Sequence, residues 1–284
     1  MTAEAPRPTA VAGSFYPKEA RALSALLERC FLDPRGPGAL PERHRREVRS
    51  IRAVVVPHAG LVYSGAIAAH AYRALASERP PESVLLLGVN HRGVGAPAAL
   101  SAVPWATPLG PVPSDPELRG RLDRPPLRVD ESAHAHEHSL EVQLPFLQYV
   151  LPHPRIVALS ISFDRLDELL RVAEVVREAV AGRDLLLIAS TDLTHYRPVA
   201  EVRAEDALVI EEIRNRNARG LYRVVTRRGI SMCGVAPTVV LLAALESEAL
   251  SGRLLAWGHS GEATPMDTVV GYAALTLESD PALP

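Results

Sequence analysis

The chain has 284 residues, of which 47% are hydrophobic, and its formal net charge at pH 7 is −2. This length can bury a large core, and the near-zero charge argues against a nucleic-acid partner. We find no apolar run of the roughly 18–20 residues that a membrane helix needs, and we expect no signal peptide. The two cysteines, Cys30 and Cys233, lie far apart in the sequence, which favours a reducing, cytoplasmic location without disulfides.

The N-terminal region contains an aromatic pair. Residues 1–17 are rich in proline, alanine and glycine and end in Phe15-Tyr16-Pro17. Because only 5% of the residues are aromatic, we predict that this segment is an arm that docks on the body of the protein. Apolar spacing predicts a helix over residues 18–31, and residues 33–49, rich in proline, glycine and arginine, are predicted to form a mobile loop.

From residue 51 the predicted strands and helices alternate. Strand, helix and strand in this order indicate right-handed βαβ units with parallel pairing. The strands are predicted at residues 51–57, 83–89, 155–161 and 184–190, and the helices between them at residues 64–77 and 166–180.

The remaining segments are more varied, and no linker divides the chain. We therefore predict one α/β domain over residues 1–284, with a three-layer α/β/α architecture and a largely parallel, mixed central sheet. The other predicted elements are a strand at 96–103, loops and short turns at 104–128 (which holds seven prolines), a helix at 139–151 interrupted by Pro145, helices at 200–219 and 235–250, and two C-terminal strands at 252–260 and 268–277.

A histidine follows shortly after three of the predicted strands: His58, His91 and His195. A single loop histidine is more often a surface or hydrogen-bonding residue. The ends of parallel strands, however, share one edge of a sheet, where side chains can converge on a ligand. The three histidines together therefore predict a common site.

Asp192 and His195 are three residues apart, a spacing that brings side chains together on a helix or across a tight turn. Two interpretations follow. Asp192 could form an Asx-turn that caps the next segment. Alternatively, its carboxylate would orient His195 as an acid/base group or metal ligand.

A second histidine group is the sequence HAHEH, with His134, His136 and His138, followed by Glu141. Three nearby imidazoles could bind a metal by themselves, although a solvated turn is an equally good interpretation for His134 and His136. His138 and Glu141 have i, i+3 spacing at the start of an apolar helix. We expect both to point inward, as supporting groups or substrate contacts.

Cys233 directly precedes the predicted helix that contains Pro237. A helix N-terminus would lower the pKa of the thiol and suit it for ligation or nucleophilic attack; the alternative is an inert buried cysteine, to which we assign Cys30. The glycine-rich nucleotide loops, HExxH, GxSxG and CxxC are all absent. A histidine-rich edge with one thiol and one aspartate favours a transition-metal site.

These motifs, in this order, resemble the Memo family, whose microbial members are called AmmeMemoRadiSam system protein B. The resemblance covers nearly the whole chain. It is carried by residues 12–16 (AGSFY), 57–60 (PHAG), 64–65 (SG), 69–72 (AHAY), 88–91 (GVNH), 137–141 (EHSLE), 144–146 (LPF), 190–195 (STDLTH) and 233–234 (CG).

The resemblance implies a fold similar to the LigB-type class III extradiol dioxygenases, which are non-haem iron enzymes. It places His58, His91 and Cys233 on metal-ligand positions. Iron or copper is the implied metal, with zinc as a further option, and the implied partners are a radical-SAM protein and an AMMECR-type protein. Asp192 and His195 fall on other pocket positions, and His138 matches an active-site histidine of the dioxygenases.

One position departs from the dioxygenase pattern. Fe(II) oxygenases use two histidines and a carboxylate, whereas Cys233 stands where the carboxylate would be; a thiolate shifts the preference toward copper(I), zinc or thiolate-tolerant iron. The first hypothesis is a metal-dependent redox protein, in which His195 moves protons and His138 contacts a small-molecule substrate. The second is a binding module for a peptide or partner protein that keeps the fold without turnover. A zinc hydrolase is a weaker third option.

Overall fold

The computed structural model describes residues 5–42 and 46–279. The first four residues of the predicted arm, and His44 with its neighbours in the predicted loop, lie outside the described residues. Within the described part, the eight strands are β1 (Ile51–Val56), β2 (Ser83–Val89), β3 (Ala98–Leu100), β4 (Arg128–Val129), β5 (Ile156–Ile161), β6 (Leu185–Ser190), β7 (Leu250–His259) and β8 (Gly271–Ser279).

The helices of the described part lie mostly between these strands. Every one of them is too short or too polar to span a bilayer. They are α1 (Ala20–Leu32), α2 (Leu61–Ser77), α3 (Pro116–Leu122), α4 (Leu144–Val150), α5 (Leu166–Val180), α6 (Val199–Arg214), α7 (Ala218–Arg228) and α8 (Val235–Ala244).

The strands form one mixed sheet in the order β4-β3-β5-β2-β6-β1-β8-β7. The central strands β5, β2, β6 and β1 are mutually parallel, while β8 pairs antiparallel with both β1 and β7. Alternate residues of β1 enter two different cores. Ala53 and Val55 pack on the side of α5 and α8, and Val54 and Val56 on the side of α1, α2 and α4. The predicted three-layer α/β/α fold is confirmed.

The pairing of consecutive strands is the first correction to the sequence analysis. β1 and β2 are parallel, as predicted, but β6 lies between them, and β2 in turn lies between β5 and β6. All residues of β6 are buried, and such a strand needs a neighbour on each side and a helical layer on each face. The strand therefore takes a central place that the order along the chain does not show.

Two further corrections concern helices. The proline-rich stretch 104–128 contains α3, which starts because the Asp115 side chain accepts hydrogen bonds from two backbone N–H groups of the first turn and Pro116 suits that turn. The predicted helix 200–219 ends early, and α7 was not predicted. Arg216 adopts a left-handed φ of 54°, and Asn217 then caps α7.

Candidate metal centre

The loops that follow β1, β2 and β6 meet at the carboxyl edge of the sheet, because these three strands are parallel neighbours in the order β2-β6-β1. A cavity of about 700 Å³ opens there. The structure brings all six predicted site residues to this cavity. Its lining includes His58, His91, His138, Asp192, His195 and Cys233, with Phe15, Tyr63, Tyr196, Met266 and Tyr272 among the apolar and aromatic residues around them.

The His58 ring is buried, and both of its nitrogens have defined neighbours. Nδ1 lies 3.0 Å from Ser190 Oγ, and Nε2 lies 3.3 Å from Cys233 Sγ. The backbone N–H of His58 donates to Asp192 Oδ1 at 2.8 Å. Burial, with a contribution from His91, lowers the pKa of His58 to about 3, so the ring is neutral near pH 7.

The tautomer of His58 follows from the hydrogen bonds of Ser190. The Ser190 hydroxyl donates to the carbonyl oxygen of Ser139 at 2.6 Å and accepts from Gln143 Nε2 at 2.8 Å. The same amide nitrogen donates to the carbonyl oxygen of Pro57, which fixes the orientation of Gln143. With its proton already engaged, Ser190 Oγ accepts from the Nδ1–H of His58. The Nε2 lone pair of His58 therefore faces Cys233.

Glu137 orients His91 in the same way. Its fully buried carboxylate accepts from His91 Nδ1 at 2.9 Å and from the backbone N–H groups of His91, His138 and Ser139 at 2.7–2.8 Å. Burial opposes ionisation of Glu137, but these donors outweigh it, and the pKa of Glu137 lies below its usual value. A histidine whose Nδ1–H is held by a carboxylate presents its Nε2 as a ligand atom.

Cys233 lies just before α8, on a loop pressed against the end of β6. A Cβ on Gly234 would come within 2.3 Å of Thr191, so only glycine permits this approach. The Cys233 sulfur accepts from the backbone N–H of Asp192 at 3.3 Å. Burial, together with the nearby Asp192 carboxylate, raises the pKa of the thiol. The prediction of a lowered pKa was wrong because these two effects exceed that of the helix terminus.

Two overlapping groups of side chains have ligand atoms within 4.8 Å of one another: His58 with His91 and Cys233, and His91 with Glu137 and His138. The first group is the better candidate for a metal site. In the second, the Glu137 oxygens already accept the donors described above, and the His138 ring stacks on that of His91 with centroids 4.6 Å apart. Burial lowers the pKa of His138 to about 4, which keeps this ring neutral as well.

Asp192 and His195 line the cavity, but Asp192 neither forms the Asx-turn nor orients His195. Asp192 Oδ1 accepts from the backbone N–H groups of His58 and Ala59, so it fixes the loop after β1. The His195 ring is oriented instead by the carbonyl oxygen of Leu193, 2.7 Å from Nδ1. Burial raises the pKa of Asp192, although its two backbone donors oppose the shift.

The HAHEH segment divides into residues with different roles. His134 is buried, its Nε2 donates to the carbonyl oxygen of Ala99 at 3.1 Å, and its ring packs edge-on against Trp105; it is neither solvated nor in the metal group. His136 is exposed. Glu141 points inward, as predicted, but it binds Arg7 and does not line the cavity.

Glu137, Ser190 and Gln143 were not predicted to support the metal-site histidines. Glu137 stands next to His138, which was its only local signal, while its partner His91 lies 46 positions earlier. Ser190, which contacts the His58 ring, lies 132 positions after it. Gln143 acts on His58 through Ser190, from which it is 47 positions away. Contacts of this range depend on the strand order and have no local pattern.

Fold and site together define an α/β protein with a candidate transition-metal centre at the carboxyl edge of its sheet. The family profile described as "Memo-like protein" matches residues 7–276, and the chain belongs to this family. MEMO1 family proteins of Methanopyrus kandleri and Ignicoccus hospitalis are each 41% identical to it, over 95% of this chain and 98% and 97% of theirs. The fold is also similar to that of the uncharacterized protein JW3007 from Escherichia coli K12, with a TM-score of 0.55 and 14% identity over 79% of this chain and 99% of that one.

Proposed function

We propose that the protein binds one transition-metal ion through His58, His91 and Cys233 and that iron or copper serves there in a redox reaction. One observation carries the proposal. Both histidines engage their Nδ1–H in hydrogen bonds, to Ser190 and Glu137, while the ligand atoms of the three side chains lie within 4.8 Å of one another.

The donor set fits such an ion. Two neutral imidazoles and a thiolate suit copper(I), zinc or thiolate-tolerant iron, and iron or copper would supply a centre that polarises a bound oxygen and exchanges electrons. The Cys233 thiol can donate to His58 Nε2 or to the carbonyl oxygen of Asp192, and Cys233 would have to lose this proton to serve as a thiolate ligand. Both cysteines are free, which agrees with a reducing, cytoplasmic location.

Of the other predicted site residues, His195 and His138 would act on the substrate and Asp192 would support the site. His195 bonds Leu193 through Nδ1, which leaves Nε2 to accept a proton. His138 presents a neutral ring beside both metal-binding histidines and would contact an oxygen-bearing group. Asp192 holds the backbone of His58 and Ala59 and so keeps the loop after β1 in place during turnover.

The test is anaerobic reconstitution of the untagged protein with Fe(II), Cu(I) or Zn(II), followed by metal analysis and measurement of oxygen uptake. We expect one equivalent of metal in the wild type and in His70→Ala, a control in which the replaced ring bonds Arg35 outside the cavity. The proposal would be overturned if the wild type held no stoichiometric metal, or if His58→Ala and Cys233→Ser bound metal as well as the wild type does. Retention of zinc alone would favour a hydrolase.

A second candidate function is binding of a peptide or partner protein without turnover. It is favoured by the exposed apolar side chains around the cavity, where Tyr196 is 75% exposed and Met266 40%. From the family resemblance, we propose a radical-SAM or AMMECR-type protein as the partner. Isothermal titration with such a partner tests this: binding that survives His58→Ala but is lost in Tyr196→Ala supports the second function, and no heat of binding counts against it.

A further inference from the structure

We infer that the buried Arg7–Glu141 ion pair is a positioning device for the metal centre. In this role it fixes the backbone of the segment that carries Glu137 and His138, and through Glu137 it sets the orientation of His91. The inference rests on the proposed metal site. It assigns a role to two residues that do not line the cavity.

Glu141 ties the N-terminal arm to the body of the protein. Its side chain is completely buried, and its two oxygens accept four hydrogen bonds from the arm. The donors are Arg7 Nη1 at 2.6 Å, the backbone N–H groups of Ala10 and Val11 at 2.7 and 3.0 Å, and the Tyr16 hydroxyl at 2.6 Å. All acceptor positions of this carboxylate therefore serve the arm.

Arg7 extends the contact from the arm to the site. Its Nε donates to the carbonyl oxygen of His134 at 2.7 Å and its Nη2 to that of Glu137 at 2.6 Å, while its guanidinium lies 4.1 Å from the centre of the Trp105 ring. One planar group thus binds the Glu141 carboxylate and three backbone carbonyls, those of Pro8, His134 and Glu137. The fixed fork of arginine allows this, and a lysine ammonium cannot reproduce it.

The fixed segment is the one that orients the metal ligand. Glu137 receives the Arg7 bond on its carbonyl oxygen and holds both the Nδ1 and the backbone N–H of His91 with its carboxylate. A shift of this backbone would move the His91 ring, and functional sites tolerate displacements of only about 0.5 Å.

The arm also reaches the site by a second route. The Phe15 ring lies 4.8 Å from that of His138, and the Phe15 carbonyl oxygen accepts from the N–H of Leu61 at 2.8 Å, beside the loop that carries His58. Stability alone does not explain the ion pair, because buried ion pairs add little net stability compared with apolar packing. Its directed hydrogen bonds to backbone are what apolar side chains could not supply.

The test is titration of the metal-free full-length protein with Co(II), monitored by visible absorption. In Arg7→Lys we expect a folded protein that binds Co(II) at least about tenfold more weakly than wild type, in line with the loss of other groups that support ligands, and with a shifted ligand-field spectrum. Glu141→Gln, which keeps the side-chain shape, is expected to act in the same direction. Should Arg7→Lys not fold, Glu141→Gln carries the test.

Arg52→Lys is the matched control. Arg52 also pairs with a carboxylate, Glu248, at 3.0 Å and donates to backbone carbonyls, but at the opposite edge of the sheet. The Arg52→Lys substitution should leave the Co(II) affinity and spectrum unchanged. If the wild type binds Co(II) and both Arg7→Lys and Glu141→Gln match its affinity and spectrum, this inference is overturned while the proposed metal site stands. A wild type that takes up no Co(II) would overturn the proposed metal site and this inference with it.

Discussion

The two edges of the central sheet are both rich in buried polar groups, but they are satisfied in different ways. At the amino edge, Arg52 contacts Glu248 and the carbonyl oxygens of Arg183 and Leu185, and Arg49 pairs with Asp184. At the carboxyl edge, the Nδ1 atoms of His58 and His91 are hydrogen-bonded to Ser190 and Glu137, whereas the ligand atoms of both histidines and of Cys233 lie within 4.8 Å of one another at the cavity.

The difference separates a structural network from a ligand site. At the amino edge, Arg52 and Arg49 are each paired with a carboxylate, and these ion pairs hold the edge together. At the carboxyl edge, burial lowers the pKa of His58 and raises that of Cys233, so both side chains are neutral, and their ligand atoms lie within 4.8 Å of one another and of that of His91. A cation would complete this set, and clustered perturbed pKa values are typical of functional sites.

The largest effect is expected from removal of a ligand at the carboxyl edge. His58→Ala deletes one of three donors, so metal affinity should fall by more than the roughly 10–100-fold that loss of a supporting group causes. The corresponding truncation at the amino edge, Arg52→Ala, should lower the unfolding midpoint and leave metal affinity unaltered. Competition titration with a chelator measures the metal affinity of both variants. Equal affinities in His58→Ala and Arg52→Ala would remove the distinction between the edges.

A smaller effect is expected when a supporting carboxylate is changed. In Glu137→Gln the acceptor for His91 Nδ1–H loses its charge, and we predict about a 10–100-fold loss of metal affinity. Glu248→Gln, the matched change at the amino edge, serves as the control. The idea that Glu137 sets the His91 tautomer would be wrong if the two variants bound metal equally well.

Metal affinity should also depend on pH. The raised pKa of Cys233 keeps its proton in the metal-free protein at neutral pH, and binding must release it, whereas His58, with a pKa of about 3, has no proton to lose. Affinity should therefore rise about tenfold per pH unit near neutrality. Cys233→Ser should abolish this slope, and a pH-independent affinity in the wild type would contradict a thiolate ligand.

The smallest effect concerns stability without metal. The folded-state pKa values of His58 and His138 are about 3 and about 4, below the unfolded value of about 6.5. The unfolded chain therefore takes up protons first, and the stability contribution that is present above pH 6.5 is lost as the pH falls toward 4. Urea midpoints should show this slope in the wild type and in Glu248→Gln, and a shallower slope in His138→Gln.

Much of the fold could be predicted from local pattern. Runs such as residues 83–89 and 184–190 alternate with helical segments, and the histidines at their ends were expected at one edge. The strand order could not be read, since the place of β6 between β1 and β2 depends on which strands need neighbours on both sides. α7 was missed because its arginine-rich sequence resembles a continuation of α6, and only the left-handed backbone at Arg216 separates them.

The candidate site was predictable in its members and less so in its contacts. Asp192 and His195 are close in sequence, but the Asp192 carboxylate accepts from the backbone of His58, in the loop that follows the neighbouring strand β1. His134 lies in a polar sequence, yet Trp105 and Ala99 bury it. The pKa of Cys233 depends on burial that a position before a helix does not reveal. In each case a partner distant in sequence decided the outcome.

X-ray absorption spectroscopy of the copper- or iron-loaded protein tests the central claim most directly. The arrangement of His58, His91 and Cys233 predicts one sulfur and two imidazole nitrogens in the first coordination shell, with the sulfur signal lost in Cys233→Ser. A shell without sulfur in the wild type, or a spectrum unchanged by Cys233→Ser, would contradict the assignment of these residues as the metal centre.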